Sequence, residues 1–497
     1  MKTTYQYTSF LLFPLLFLFV LATGPSLTAQ TETYYVDAAK ANNDGDGMSW
    51  ATAKKDLQVA LDLATAGDEI RVASGTYLPT ETPNNSAANR DKAFHFNKNV
   101  VLKGSYDPDT DTQDYSNPSI LSGDLGTLDN TSDNAYHVLI TASLTAATII
   151  DGFTFSGGNA DGTDNLTYST KTFDRNSGGG LHNVSSSPTI TNSSFRGNTA
   201  SDSGGGLHNV SSSPTITNST FSGNFAGSSG GGMYNFESSS PRITNSLFSE
   251  NTANRGGGMY NFESSSPTIT NSTFSRNSAT INGGGMRNFF ASSPTLYNTV
   301  FYENTATTGM DIDGDAINGS SSHNASDGTG GNINAGAGFV ALTSEEDPFT
   351  NSEDPAGADD MFGTADDGLI PHATSPLIDA GINSENDEMT DVIGRTRILG
   401  TAIDIGAYEF QPSLSSDGLG VETTTLYPNP TSSAVYLSHA TATNTNYSLY
   451  DISGKRLATY TQSGTAHQLD VSSVSKGTYI LKAISGLQVN YYRIVKE

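Results

Sequence analysis

Residues 204–224 read GGGLHNVSSSPTITNSTFSGN, and this stretch decides the fold because the chain repeats it. The copies follow one another at intervals of 26 residues, with one interval of 27. Each copy holds three short apolar sites separated by turns: a Leu or Met, an Ile or Leu, and a Phe three residues before an Asn. A fixed period of this length is typical of repeat proteins, in which each unit buries its apolar side chains only against its neighbours. The triple glycines that open the copies begin at Gly178, Gly204, Gly230, Gly256 and Gly283.

The repeat predicts an all-β solenoid. Helical repeats need long stretches with a 3.6-residue period, and these units contain none. Three short apolar sites instead predict three short strands per coil, and such coils stack about 4.8 Å apart. The sequence therefore predicts a right-handed parallel β-helix over residues 30–410, with its most regular rungs at 178–304.

Asparagine recurs at two positions of every unit, two residues after the Leu or Met and three residues after the Phe. Asn side chains hydrogen-bond to neighbouring backbone and tolerate the left-handed region. We therefore expect both sets of asparagines at corners of the coil, bonded along the stack. Before the first rung, Leu57, Leu61 and Ala64 recur at helical spacing, which predicts a capping helix that protects the open end from edge-to-edge pairing.

Composition and charge exclude several classes of function. The 497 residues include 51 acidic and 24 basic side chains, which gives a net charge of −27. This field repels phosphate backbones, so nucleic acid is not an expected partner. The chain has no Cys, which rules out disulfides, thiolate metal sites and a Cys nucleophile.

The two ends of the chain differ from its middle. Lys2, an apolar run over 11–22 and small residues up to Ala29 predict a signal peptide over residues 1–29. That run is shorter than the roughly 20 residues of a spanning helix, and no later segment is apolar enough, so no transmembrane segment is expected. Residues 411–420 are polar and predict a linker, and short alternating runs over 421–497 predict a small β-sandwich.

Four motifs of the tail occur in an order that resembles the C-terminal type IX secretion (type A) sorting domain of Bacteroidetes. This resemblance implies recognition by the type IX secretion machinery and export across the outer membrane. After removal of the signal peptide and the tail, the protein is expected to be extracellular or attached to the cell surface. The motifs contain Tyr427, Pro428, Asn429 and Pro430, then Gly454 and Lys455, then Gly477 and Tyr479, and finally Arg493 to Lys496.

The body resembles the pectin-lyase-like superfamily of secreted β-helix proteins over roughly residues 34–410. Its Gly-Gly-x-Leu/Met and Phe-x-x-Asn pairing also resembles the repeats of polymorphic outer-membrane proteins. Residues 375–381 and 404–409 resemble the segment that closes such helices. The resemblance implies an architecture and no particular activity, because the superfamily contains lyases, hydrolases, adhesins and tailspikes.

One column of residues is a candidate ligand-binding site. The residue after each Leu or Met should point outward by strand alternation, one per rung. A stripe of rings and hydrogen-bonding groups suits an extended glycan, whereas the alternative is that these residues only stabilise the stack by cross-rung pairing. The column consists of His182, His208, Tyr234, Tyr260 and Arg287.

A structural calcium site is a second hypothesis, and no cofactor is required by any motif. Asp311, Asp313 and Asp315 alternate around a Gly turn, which is an arrangement that a hard cation needs. The alternative is that these carboxylates are solvated in an acidic loop.

Catalytic residues stay unassigned. A lyase needs a basic proton abstractor beside carboxylates, and a hydrolase needs a pair of carboxyl groups, and the strands of the regular rungs supply neither. The sequence therefore predicts a non-catalytic, glycan-binding or adhesin-like display module. The alternatives are a polysaccharide lyase or glycoside hydrolase acting on acidic polysaccharide, with its site on the irregular rungs between Asp91 and Asp174, and a structural spacer.

Overall fold

The computed structural model describes residues 31–128, 130–328, 333, 336–343, 346–412, 425–452, 455–485 and 488–497. The predicted signal peptide, most of the predicted linker and Gly454 of the sorting motif lie outside these residues. The described chain divides into two compact units between Gln411 and Pro412.

In the first unit the chain winds through stacked parallel sheets, named A to D. Each regular repeat contributes a strand to sheets C, A and B in that order, and most repeats add a fourth strand to sheet D. Sheet A contains Thr33–Val36, Glu69–Ala73, Val101–Asp107, Ile149–Asp151, Thr189–Thr191, Thr215–Thr217, Arg242–Thr244, Thr268–Thr270 and Thr295–Tyr297, with Thr112–Gln113 antiparallel beside the third strand. Sheet B contains Gly75–Tyr77, Ser119–Ser122, Phe153–Ser156, Ser194–Arg196, Thr220–Ser222, Leu247–Ser249, Thr273–Ser275, Val300–Tyr302, Ala325–Ser326 and Val340–Ala341. Sheet C contains Phe94–Phe96, Leu139–Ala142, Leu181–Val184, Leu207–Val210, Met233–Phe236, Met259–Phe262, Met286–Phe289 and Ile312–Gly314. Sheet D contains Asn159–Ala160, Thr199–Ala200, Phe225–Ser229, Thr252–Arg255 and Ser278–Asn282.

Three columns of apolar side chains fill the solenoid. The Ile or Leu of sheet A, the Phe of sheet B and the Leu or Met of sheet C are 0% exposed in every regular repeat. Consecutive Phe rings from Phe195 to Phe301 stack at 4.5–4.7 Å with planes within 8° of parallel. The predicted all-β parallel solenoid is confirmed.

The strands of sheet D were not predicted from the sequence, which indicated three strands per unit and not four. The inward residues of this sheet are small, and those of the regular repeats are 0–4% exposed. Alanine is depleted in strands and gave no strand signal. The inward side chains are Ala200, Ala226, Ala253 and Ala279.

Asparagine ladders run along the stack, although not all at the predicted places. The set that begins at Asn183 lies within sheet C on its inner side, where each Nδ2 donates to the next Oδ1 at 2.8–3.0 Å. The prediction of a corner is therefore wrong for this set, because strand alternation turns these side chains inward. The set that begins at Asn198 does lie between sheets B and D, bonded at 2.9–3.2 Å.

A third asparagine set forms the tight bend between sheets A and B. These residues have φ of 46–51°, in the left-handed region that Asn tolerates better than most residues. The left-handed corner thus belongs to this set, which we name the corner ladder. Its members are Asn192, Asn218, Asn245, Asn271 and Asn298.

A closing segment, residues 346–411, folds back over the outer face of sheet B at its later rungs. Leu377, Ile405 and Tyr408 form a second apolar core there with Leu247 and Val300. Part of this segment then runs along the corner ladder against the direction of the repeats. Three residues of the segment form hydrogen bonds with the ladder: Ile382 with Asn298, Asn386 with Asn271, and Thr390 with Asn245.

Two local elements complete the body. An α-helix, Leu57–Leu63, buries Leu57 and Leu61 against the first rungs. An antiparallel hairpin, Asn165–Tyr168 and Lys171–Asp174, leaves the stack before the first regular repeat. The described 3-10 turns are Trp50–Thr52, Pro83–Asn85, Asn89–Asp91, Thr131–Asp133 and Asn383–Glu385.

The second unit is a five-stranded antiparallel sheet, named the sorting sheet. Alternate residues such as Leu437, Tyr447, Leu449 and Leu481 are 0% exposed and make its core. Its strands are Thr425–Tyr427, Ala434–Asp451, Arg456–Asp470, Gly477–Ser485 and Gln488–Lys496.

Candidate functional site

The predicted ligand-binding column is buried at its histidine end. His182 and His208 are 1% and 3% exposed. Phe173 of the hairpin meets the His182 ring edge to face at 5.2 Å, and the His208 ring lies between the rings of His182 and Tyr234, at 4.6 and 5.0 Å. Leu166 and Phe173 of the hairpin form an apolar cluster with residues of the underlying sheet C. The expected exposure of the two histidines is therefore wrong. No sequence motif predicts that an insertion covers this face.

The tyrosine end of the column is stacked on itself. The rings of Tyr234 and Tyr260 lie 5.4 Å apart with planes 19° from parallel, and Arg287 Cζ lies 6.0 Å from the Tyr260 ring centroid. Burial raises the pKa of both tyrosines. The ring faces that a sugar would need are thus occupied by neighbouring side chains, and Arg287 pairs with Asp313. This geometry fits cross-rung stabilisation better than glycan stacking.

The three aspartates of the predicted calcium site point to three different partners. Asp311 is fully buried and accepts hydrogen bonds from Asn304 and Ser326, so it ends the Asn198 ladder. Asp313 pairs with Arg287, and a carboxylate oxygen of Asp315 accepts a bond from the Ser292 amide. Among the described residues, no group of three His, Asp or Glu side chains is arranged to hold a metal ion. The structure does not bring these carboxylates together.

A cleft of about 860 Å³ lies over the outer face of sheet B, and no sequence motif predicted it. The closing segment covers this face at the later rungs and leaves it open at the earlier ones. The floor spans four strands, about 14 Å at the usual strand spacing. Its threonines are only 5% exposed, so its accessible polar groups are those of the serines and the arginine. The floor consists of Ile120, Thr154, Ser194, Arg196, Thr220 and Ser222.

Two aromatic side chains belong to separate segments that line the cleft. Tyr115 belongs to the loop after Val101–Asp107, and Phe362 belongs to the closing segment. Burial, and then the nearby Asp151 carboxylate, raise the pKa of Tyr115 to about 12, so its hydroxyl stays protonated and donates to Asp151 at 3.2 Å. The loop and ring are therefore fixed in place before any ligand arrives.

The cleft is nearly neutral in a strongly acidic chain. Its charged lining residues are Arg196, Glu250 and Asp360. No described acidic side chain forms an ion pair with Arg196, which is exposed at the floor. Asn192 and Asn218 of the corner ladder line the same space. They belong to the earlier rungs, where the described hydrogen bonds between the ladder and the closing segment have ended. The cleft thus offers hydroxyl and amide groups between two rings.

The sorting motifs of the tail are joined by hydrogen bonds. Asn429 Nδ2 donates to the Arg493 carbonyl at 2.7 Å, and its Oδ1 accepts from the Val495 amide at 2.7 Å. Tyr427 begins the motif at the end of the first strand of the sheet, and Pro428 and Pro430 flank Asn429. Lys455 follows the turn after Asp451, and Tyr479 Oη donates to Ser475 two residues before Gly477. The first and last motifs therefore meet, although 64 residues separate them in the chain.

Two family models match parts of the chain. Residues 205–355 match the family described as right handed beta helix region, and residues 425–497 match the secretion system C-terminal sorting domain. The crystal structure of pectate lyase Pel9A is similar, with a TM-score of 0.47 and 15% identity over 77% of this chain and 97% of that chain. No curated protein matches. None of the helices in the described residues has the length and apolar character to cross a membrane.

Proposed function

We propose that this chain, a right-handed β-helix joined to a type IX sorting tail and therefore secreted, is a display module that binds extracellular polysaccharide in the cleft over sheet B. The observation that carries the proposal is the cleft itself, which combines the Ser hydroxyls and the Arg196 guanidinium of its floor with the rings of Tyr115 and Phe362. Ligand sites are typically concave, with aromatic lining and a few convergent polar groups. Sugars match this combination because they have many hydroxyls and an apolar ring face.

The charge of the cleft supports a neutral or weakly charged sugar chain. One guanidinium and two carboxylates line it, so it carries little of the repulsive field of the whole chain. Hydrogen bonds from Asn117, Asn192 and Asn218 would orient the sugar hydroxyls. Because four strands form the floor, the site is long enough for an extended chain.

The same lining favours binding over cleavage. The described residues that line the cleft include no Lys and no His, and Arg196 is their only cationic side chain. Arginine stays protonated in proteins and is a poor proton abstractor. The proton acceptors that remain in the lining are the carboxylates of Glu250 and Asp360, without a neutral amine or imidazole beside them.

A polysaccharide panel tests the proposal. The purified protein is passed over immobilised β-glucan, xylan, mannan, alginate and polygalacturonate, with and without calcium, and unsaturated and reducing-end products are recorded. We expect retention on at least one polysaccharide and no product. Retention on none contradicts the proposal. Product formation would replace it by the enzyme alternative, with Glu250→Gln as the first variant to assay.

A further inference from the structure

The outer face of the sorting sheet carries cations and apolar side chains together. Strand alternation separates the buried residues Leu449, Leu481 and Ile494 from their neighbours, which point to the other side. We name the exposed set the cationic face. It consists of Tyr450, Arg456, Ile480, Lys482, Ile484, Tyr491 and Arg493.

The strand register places these residues in adjoining rows. Ile480 is paired with Tyr450 on one side and with Arg493 on the other, and Lys482 is paired with Tyr491. Lys482 Nζ lies 5.8 Å from the Tyr491 ring centroid. The apolar side chains are well exposed for their size, since Ile480 and Ile484 are each 36% exposed and Tyr491 is 46% exposed. The face is therefore a contiguous apolar surface edged by positive charge.

Among the described residues, no acidic side chain lies in the paired rows that form this face. Asp451 accepts a hydrogen bond from the Lys455 amide in a turn, and Asp470 accepts one from the Ser472 amide. Glu497 follows the last strand. Three cations without a counter-charge are unusual in a chain whose net charge is −27. Exposed apolar surface with a charged rim is typical of protein interaction sites.

We infer that the cationic face is the surface by which the sorting domain docks on the secretion machinery, and that its receptor presents acidic side chains around an apolar centre. This inference goes beyond the proposed glycan binding and does not depend on it. Interfaces pair surfaces of opposite charge, so a cationic face requires an acidic surface on the receptor. A protein receptor is favoured over an anionic lipid surface, because electrostatic lipid binding typically uses clusters of four to eight Lys or Arg.

The test uses the full chain, expressed in a bacterium that carries this type of secretion system. Lys482→Glu changes the net charge by two units at the centre of the face. The matched control, Ser463→Glu with Thr465→Glu, makes the same change on Arg456–Asp470 at exposed positions beyond the paired rows that form the face. The surface-exposed fraction of each protein is measured by protease accessibility on intact cells, and folding is checked by the thermal midpoint of the purified chain.

We expect Lys482→Glu to lower the surface-exposed fraction severalfold without moving the thermal midpoint, and Lys482→Arg to restore it. Tyr491→Ala should lower it as well, whereas the control pair should behave as wild type. Wild-type export of both Lys482→Glu and Tyr491→Ala, or equal loss in the control, would overturn the inference. Wild-type binding to phosphatidylglycerol vesicles that Lys482→Glu abolishes would also overturn it, because the partner would then be lipid.

Discussion

Asn298 and Ile382 exchange two hydrogen bonds: Asn298 Nδ2 donates to the Ile382 carbonyl at 3.1 Å, and the Ile382 amide donates to Asn298 Oδ1 at 2.8 Å. The corner ladder of the solenoid is thereby tied to the closing segment. This segment covers the later rungs of sheet B and forms one wall of the cleft. The position of that wall therefore depends on an asparagine that lies 84 residues earlier in the chain.

Asn298→Gly should loosen the closing segment. Glycine keeps the left-handed backbone, where φ is 48°, so the variant removes the side-chain bonds without adding strain. We expect a loss of about 2–3 kcal/mol, since the Ile382 amide and carbonyl lose their partners. Hydrogen exchange of residues 377–393 reports the loosening, and Asn218→Gly, which has no partner in the closing segment among the described contacts, is the control. Equal protection in both variants would contradict this account.

Phe248→Ala should destabilise the solenoid strongly. Its ring is 0% exposed and stacks on Phe221 at 4.7 Å and on Phe274 at 4.5 Å. Truncation leaves a cavity in a column that cannot collapse without shifting both neighbours, so we expect a cost of about 3–5 kcal/mol. Phe289→Ala, at a ring that is 44% exposed, should cost much less. The thermal midpoints of the two variants check this, and a small shift for Phe248→Ala would be inconsistent with the stacked core.

The middle glycine of each triple glycine is required by close backbone approach. A Cβ at Gly231 would lie 2.5 Å from the Thr252 carbonyl oxygen and 2.6 Å from that of Gly257, and neither backbone atom can easily move. Gly231→Ala should therefore cost at least about 2 kcal/mol. Gly223→Ala is the comparison, because a Cβ there meets nothing within 4 Å and only the positive φ of 60° opposes it. That variant should lose about 1–2 kcal/mol. Equal unfolding midpoints would disprove the steric argument.

The buried imidazoles make the body sensitive to acid. Burial lowers the pKa of His137 to about 4 and that of His208 to about 3, and it lowers the pKa of His182 as well. The unfolded chain then binds more protons below pH 6.5, so stability falls as the pH drops from 6.5 towards these values. At pH 5 the protonation of His137 and of His208 in the unfolded chain lowers the free energy of unfolding by about 2 kcal/mol each.

The variant His208→Phe isolates this effect. Burial raises the pKa of Asp327 and of Asp367 to about 6. Because the folded chain binds these protons more readily than the unfolded chain, the two carboxyl groups raise the stability as the pH falls. The free energy of unfolding is therefore measured at pH 7 and at pH 5 for both proteins, and the loss between the two pH values is compared. We expect the variant to lose about 2 kcal/mol less over this interval. An identical pH dependence would show that His208 is protonated in the folded protein.

The sequence predicts the regular part of this molecule well and its additions poorly. The spacing of Ile216, Phe221 and the glycines specifies the rungs, because each rung repeats the same local pattern. The hairpin over His182 and the closing segment along Asn298 have no period, and their places depend on contacts between distant parts of the chain. The predicted column is correct in its register and wrong in its exposure for this reason. The cleft has no sequence signature, since its floor uses the same Thr and Ser residues that face solvent on any strand.

The most direct test of the central claim compares two double variants on the polysaccharide that retains the wild-type protein. Tyr115→Ala with Phe362→Ala removes both rings of the cleft, and Tyr234→Ala with Tyr260→Ala removes the tyrosines of the predicted column. Affinity gel electrophoresis measures the dissociation constant of each protein for that polysaccharide. We expect the cleft variant to lose binding at least tenfold, about 1.4 kcal/mol, while the column variant binds as the wild type does. Unchanged binding by the cleft variant, with loss in the column variant, would contradict the proposal.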